Sequence, residues 1–113
     1  EIKERKKFDI FVGFKNEGDE GYPDATKEFV KKFNFLQNVK IFSPLIKMDK
    51  EDIIRLGNKL GVNFNHTHSC YSSNKVHCGV CLSCRLRQEG FYWANIKDPT
   101  QYKEKMKDFR LAD

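Results

Sequence analysis

Two apolar runs in the first half of the chain predict short β-strands. Residues Phe8–Phe14 are almost continuously apolar and rich in aromatic and β-branched side chains. Such a run is typical of a strand that is buried on both faces, as in a parallel sheet. A shorter run, Val39–Phe42, predicts a second strand, and Pro44 ends it.

Apolar side chains at helical spacing follow each predicted strand. Asp24 occupies the N-cap position before the first predicted helix, and Asp49 occupies it before the second. Gly61 stands where a helix C-terminus favours glycine. This strand–helix–strand–helix order predicts part of an α/β layer fold. The apolar positions are Phe29, Val30, Phe33 and Leu36 in the first helix, and Ile53, Ile54, Leu56 and Leu60 in the second.

The composition changes after Phe64, where His, Cys, Ser and Asn become frequent. Leu82–Ala94 is predicted to form a helix. Asp98-Pro99 predicts the start of a last helix, because proline is favoured at the first helical position. We therefore expect two parts, an α/β layer over residues 1–66 and a cysteine-rich helical element over residues 67–113.

Length and charge limit the class of protein. The chain has 113 residues and a formal net charge of +5, and Leu, Ile, Val and Phe supply 30 residues for a core. No apolar run approaches the roughly 18 residues of a membrane span. The charged segment Glu1–Lys7 lacks the apolar centre of a signal peptide. We therefore expect a cytoplasmic protein, and because the sequence does not begin with methionine, we expect it to be part of a longer chain.

The basic residues are interleaved with acidic ones, and 33% of all residues are charged. This pattern favours solvated helix faces over a concentrated patch for nucleic acid. We therefore expect neither a membrane nor a nucleic acid as a direct partner. A stand-alone zinc-stapled module that binds nucleic acid or protein stays open as an alternative.

The four cysteines carry the strongest chemical signal. Cys70, Cys78, Cys81 and Cys84 follow the spacing C-x7-C-x2-C-x2-C. Four thiolates suit one tetrahedral zinc ion, and short loops between ligands make such a site easy to close. An iron–sulfur cluster or two disulfides are the alternatives. A closed four-sulfur site has no open position for catalysis, so a zinc ion here is expected to be structural.

Several basic side chains flank the cysteines. With four thiolates available, no histidine is needed as a ligand, and His77 is expected to be a partly exposed loop residue or to support a neighbouring ligand. Arg85 and Arg87 could offset the negative charge of a metal site or bind an anionic substrate. The sequence does not decide between these roles. The same holds for His66 and His68.

The order of motifs along the chain is more specific than any single motif. It closely resembles the C-terminal half of the 7-cyano-7-deazaguanine synthase family, the QueC-like enzymes. The cysteine block is the most specific part of the resemblance. The motifs are Gly21-Tyr22-Pro23-Asp24, Ser43-Pro44-Leu45-Ile46, Ser69-Cys70-Tyr71, Cys78-Gly79-Val80-Cys81-Leu82-Ser83-Cys84-Arg85-Leu86-Arg87 and Asp98-Pro99-Thr100-Gln101-Tyr102.

The resemblance implies a Rossmann-like fold of the adenine-nucleotide α-hydrolase (PP-loop) type. It implies an ATP- and Mg²⁺-dependent ligase that converts 7-carboxy-7-deazaguanine and ammonia to the nitrile preQ0, for queuosine and archaeosine modification of tRNA. Residues 1–66 would then belong to the nucleotide-binding layer. The four cysteines would hold one structural zinc ion per chain, and the enzyme would be a homodimer.

The resemblance also implies substrate contacts from Tyr22 and Asp24, although Asp24 could be a simple helix cap and Tyr22 a packing residue. The catalytic residues stay unknown. The Ser-Gly-Gly-x-Asp-Ser loop that would bind ATP is absent from the sequence. We therefore expect this chain alone to be inactive. Ala25 stands where the family often has cysteine, so a related ligase that acts on another carboxylate is a further alternative.

Overall fold

A computed structural model describes residues 9–15, 22–36 and 40–105. The chain divides into two compact units, Glu1–Met48 and Asp49–Asp113. The second unit therefore starts earlier than the composition suggests, because the helix after Asp49 packs against the helix that follows the cysteines. The functional division into residues 1–66 and 67–113 stays a prediction.

The first unit contains a parallel strand pair linked by a helix. Strand β1 (Asp9–Phe11) pairs with strand β2 (Lys40–Phe42), and helix α1 (Lys27–Leu36) lies between them in sequence. Parallel strands need a crossover of this kind. The Asn34 side chain fixes the helix to the sheet, since its amide accepts from the N–H of Ile41 at 2.7 Å and donates to the carbonyl of Ile41 at 3.1 Å. The predicted strand–helix–strand order is confirmed.

The first strand is less buried than its apolar sequence predicts. Phe11 is 70% exposed and Ile10 is 42% exposed. One face of Phe11 stacks on Phe42 with 5.1 Å between the ring centroids. The expectation of burial on both faces is therefore wrong over Asp9–Phe11, because the sheet has two strands in the described part of the chain and few side chains cover its faces. Phe8 and Val39, which the predicted strands include, lie outside the described residues.

The start of α1 corrects the assignment of its cap. Asp24 lies in a short 3-10 turn, Pro23–Ala25, and not at the N-cap. Thr26 caps the helix instead, because its hydroxyl accepts from the N–H of Phe29 at 3.2 Å and donates to the carbonyl of Pro23 at 2.9 Å. The proline turn places Asp24 two residues before the N-cap, too early for the capping bond.

The second unit is built on two helices, α2 (Lys50–Lys59) and α3 (Leu82–Ala94). Asp49 caps α2 in a reciprocal capping box with Asp52, and Gly61 has a φ of +78°, so both predicted ends of this helix are confirmed. A second 3-10 turn covers Phe64–His66. The core between the helices consists of Ile54, Phe91 and Ala94, with Phe64 and Ile96 partly buried beside it.

No helix starts at Asp98 in the described part of this segment, residues 98–105, so the predicted helix start is wrong. The Asp98 carboxylate accepts from the N–H of Thr100 at 2.9 Å and from the Tyr102 hydroxyl at 2.5 Å. The next N–H groups bond to the cysteine loop, from Lys103 to the carbonyl of His77 at 2.8 Å and from Glu104 to that of Cys78 at 3.1 Å. These bonds to distant residues occupy backbone N–H groups that would otherwise form the hydrogen bonds within a helix. Residues 96–105 form an extended strap over the loop.

No helix among the described residues is long and apolar enough to cross a membrane.

Candidate metal centre

The second unit brings all four cysteines to one point. Cys70 lies in the loop after the second 3-10 turn, Cys78 lies in a tight turn, Cys81 caps α3, and Cys84 lies in the first turn of α3. All four are free thiols, and their sulfur atoms lie within 4.8 Å of one another. Tetrahedral zinc with Zn–S bonds of about 2.3 Å holds its sulfurs about 3.8 Å apart. The four side chains therefore fit a single metal ion after a small contraction.

Backbone N–H groups point at three of the sulfurs. The Sγ of Cys70 accepts from the N–H of Cys78 at 3.3 Å, and the Sγ of Cys81 accepts from that of Cys84 at 3.5 Å. The Sγ of Cys78 accepts from the N–H groups of Val80 and Cys81 at 3.4 and 3.3 Å. Such bonds stabilise the thiolate, which is the form that binds metals.

The pKa values of the cysteine thiols depend on these hydrogen bonds and on burial. The two N–H donors lower the pKa of the Cys78 thiol to about 6. The N–H of Cys78 is likewise the main cause that lowers the pKa of Cys70. Burial raises the pKa of the Cys84 thiol to about 12. The N–H of Gly79 acts in the opposite direction, and a bound cation would favour the thiolate of this fully buried residue further.

Gly79 and Gln88 fix the turn that carries Cys78 and Cys81. Gly79 has a φ of +84°, and a Cβ there would overlap the carbonyl oxygen of Glu104. The Gln88 amide donates to the carbonyl of Gly79 at 2.9 Å and to that of Cys84 at 3.3 Å. Gln88 was not predicted as a site residue. Its position one helical turn after Cys84 is the signal that could have identified it.

The side chains of His68 and His77 connect the loops around the cysteines, and among the described residues no histidine belongs to the cluster of ligand atoms. His77 is buried, so the expectation of a partly exposed residue is wrong. Its Nε2 accepts from the N–H of Ser69 at 3.1 Å, which joins the Cys70 loop to the Cys78 turn. His68 donates from Nε2 to the carbonyls of Cys70 and Ser73 at 3.0 and 2.8 Å. Burial, followed by the nearby Arg87, lowers the pKa of His77.

The two arginines have different surroundings. Arg85 is exposed, whereas Arg87 is buried. The Arg87 guanidinium donates to the hydroxyls of Thr100 and Thr67 at 2.9 and 2.7 Å and to the carbonyl of Phe64 at 3.1 Å. Arg87 therefore ties α3 to the 3-10 turn and to the strap.

We expect Arg87→Lys to lower the free energy of unfolding by about 2–3 kcal/mol, because a lysine cannot make these forked bonds and leaves buried acceptors unpaired. Arg85→Lys on the same helix is the matched control and should change stability by less than about 0.5 kcal/mol. Urea unfolding of both variants measures the difference. Equal midpoints for the two variants would show that the buried bonds contribute nothing.

Tyr22 and Asp24 lie in the first unit, directly before α1. Tyr22 is half-buried, and its carbonyl accepts from the N–H of Ala25 at 2.9 Å. Asp24 is exposed and does not cap the helix. Their predicted contact with substrate stays a prediction. Gly21, which starts their motif, lies outside the described residues.

Comparison with known proteins connects this centre to a family. A sequence model described as "Queuosine biosynthesis protein QueC" matches residues 2–95, which include all four cysteines. The chain belongs to the QueC family. The resemblance found in the motifs is thereby confirmed, and the second unit carries the cysteine block of a QueC protein.

Several similar proteins bear the name 7-cyano-7-deazaguanine synthase. The chain is 41% identical over 101 residues to the 7-cyano-7-deazaguanine synthase of Methanothermobacter thermautotrophicus, covering 84% of this chain and 46% of that protein. It is 43% identical over 108 residues to the synthase of Methylococcus capsulatus, covering 84% and 48%. The synthase of Nitratiruptor sp. is 43% identical over 102 residues, covering 83% and 46%. The chain thus spans about half the length of the curated relatives it matches.

Proposed function

We propose that this chain is part of an ATP-dependent 7-cyano-7-deazaguanine synthase, which converts 7-carboxy-7-deazaguanine and ammonia to the nitrile preQ0. The observation that carries the proposal is the similarity to relatives of that name, at 41–43% identity over more than four fifths of the chain. The product would enter queuosine and archaeosine synthesis. The reaction would take place in the cytoplasm, and the enzyme would be a homodimer.

The chemistry requires two activations of a poor electrophile. Adenylation of the carboxylate by ATP releases pyrophosphate and provides a leaving group, so that ammonia can displace AMP and form an amide. A second adenylation, at the amide oxygen, permits loss of AMP and of the nitrogen-bound protons to give the nitrile. The sequence contains no Ser-Gly-Gly-x-Asp-Ser loop, so the ATP and Mg²⁺ contacts are assigned to residues outside this chain.

The four cysteines would hold one zinc ion with a structural role. A set of four thiolates is typical of closed structural zinc sites, and it leaves no position for substrate or water. The ion would compensate the negative charge of the thiolates and join the Cys70 loop, the Cys78 turn and α3. No step of the reaction needs to involve it.

The protein at its natural full length, loaded with zinc, provides the test. With ATP, Mg²⁺, ammonia and 7-carboxy-7-deazaguanine, we expect mass spectrometry to detect the nitrile and AMP. Absence of nitrile with this acid, together with amide or nitrile formation from another aromatic acid, would contradict the proposed substrate. It would favour a related ligase with a different acid, the alternative that the departure at Ala25 leaves open.

Asp24 offers a test of the proposed substrate contact. We expect Asp24→Asn to lower kcat/KM for the acid about tenfold or more, because a charged hydrogen-bond partner contributes roughly 1.5–3 kcal/mol. Glu28→Gln, at an exposed position in the first turn of α1, removes the same charge and should leave kcat/KM unchanged. Equal activity of the two variants would remove Asp24 from the substrate site.

A further inference from the structure

A cavity of about 420 Å³ opens beside the metal centre, within the second unit. We name it the histidine cleft, because His66, His68 and His77 all line it. The second 3-10 turn, the loop before Cys78 and the strap form its walls. Its volume falls in the range of about 300–1,000 Å³ that is usual for small-molecule sites.

The charge around the cleft favours an anion. No aspartate or glutamate is among the described residues that line it, whereas Lys75 does line it. A second cation lies behind the wall, since Arg87 donates to Thr67 and Thr100, which both line the cleft. The nearby Asp98 carboxylate already accepts from two groups of the strap. In the lining, a ligand with a negative charge would meet the Lys75 ammonium, with Arg87 behind the wall and the hydrogen-bonded Asp98 carboxylate outside the lining.

The shape of the lining favours a flat ligand. Rings make up much of the wall: those of the three histidines, Phe64 and Pro99. The imidazoles of His68 and His77 lie side by side, with 4.5 Å between their centroids. Histidine and phenylalanine rings are common stacking partners for planar nitrogen heterocycles.

We propose that the histidine cleft binds a planar heteroaromatic acid, with its carboxylate toward Lys75 and its ring against the imidazoles. The identity of that acid rests on the proposed function, in which it is the substrate 7-carboxy-7-deazaguanine. Binding itself needs neither ATP nor ammonia. Lys75 and the cleft walls would thus select the acid before activation.

Isothermal titration of the full-length, zinc-loaded protein with 7-carboxy-7-deazaguanine, without ATP, tests the proposal. Lys75→Gln should weaken binding of the acid about fivefold, and Lys59→Gln, an exposed lysine on α2, should leave it unchanged. The uncharged nitrile 7-cyano-7-deazaguanine should bind wild type and Lys75→Gln equally. An equal loss for acid and nitrile would overturn the role of Lys75 as the carboxylate partner.

A second pair of variants tests the cleft by its volume. Val76→Trp should fill the cleft and weaken binding of the acid more than tenfold. Val80→Trp places the same side chain at an exposed position that does not line the cleft. This variant should bind the acid with an affinity within twofold of wild type. Zinc content and melting temperature report whether each variant is folded.

The outcomes separate this inference from the proposed function. Wild-type affinity in both Lys75→Gln and Val76→Trp, or no binding of the acid to wild type, would overturn the cleft assignment even if the nitrile is formed. Binding that both variants weaken, in a protein that forms no nitrile, would support the cleft and contradict the proposed reaction.

Discussion

We expect Cys84→Ser to abolish zinc binding and to unfold most of the second unit. Cys84 is the only fully buried cysteine and lies on α3, the helix that packs against α2. The buried core of this unit is small, with Ile54, Phe91 and Ala94 as its members in the described part of the chain. A structural zinc ion contributes on the order of 10 kcal/mol to folding of small domains, more than such a core can replace. Zinc content per chain and the thermal unfolding curve measure the effect.

Ser83→Ala is the matched control for this substitution. It changes the neighbouring residue of the same helical turn, and Ser83 is not among the clustered ligands. We expect about one zinc ion per chain and a melting temperature close to that of wild type. A Cys84→Ser protein that keeps its zinc and the wild-type unfolding curve would exclude a structural four-thiolate site.

Gly79→Ala should strongly destabilise the second unit, although it removes no metal ligand. Its Cβ would overlap the Glu104 carbonyl oxygen. Neither side can easily move, because Gln88 holds the carbonyl of Gly79 and the N–H of Glu104 bonds to Cys78. The left-handed φ adds roughly 1–2 kcal/mol for any residue with a Cβ. We expect a total loss of about 3 kcal/mol or more in urea unfolding of the zinc-loaded protein.

Gly61→Ala separates the two contributions. Gly61 has a similar φ of +78°, but a Cβ there would meet nothing within 4 Å. This variant should therefore show only the conformational cost, roughly 1–2 kcal/mol. Equal losses of unfolding free energy in Gly61→Ala and Gly79→Ala would mean that the close approach of the Glu104 carbonyl to Gly79 contributes nothing.

Local patterns predicted much of the fold. The periodicity of apolar residues identified α1 and α2, the capping residues Asp49 and Gly61 located both ends of α2, and the helix predicted over Leu82–Ala94 is α3. The same reasoning placed the cap of α1 at Asp24, because it could not foresee the 3-10 turn that makes Thr26 the cap. Sequence patterns predict secondary structure well where the backbone conformation depends on residues nearby in the chain.

The predictions that were wrong depend on distant contacts. Asp98-Pro99 is typical of a helix start, but the following N–H groups bond to His77 and Cys78 instead. The burial of His77 likewise depends on residues far along the chain, among them Tyr102 at 5.8 Å between ring centroids. The sequence of the strap contains no periodic pattern from which its contacts with His77 and Cys78 could be predicted.

The candidate site, too, could be predicted only where it depends on residues close together in the sequence. The spacing of the four cysteines is enough to predict their convergence, because short loops limit how far apart the ligands can lie. Arg87 was noticed only as a charge near the site. Its bonds to Thr67 and Thr100 join segments that only the folded chain brings together. The histidine cleft depends on the same contacts and could not be predicted.

X-ray absorption at the zinc K-edge of the purified full-length protein tests the metal site most directly. We predict about one zinc ion per chain, with four sulfur neighbours at about 2.3 Å and no nitrogen or oxygen ligand. A nitrogen or oxygen neighbour at about 2.0–2.1 Å, or a protein purified without zinc whose cysteines are paired as disulfides, would contradict the closed four-cysteine centre.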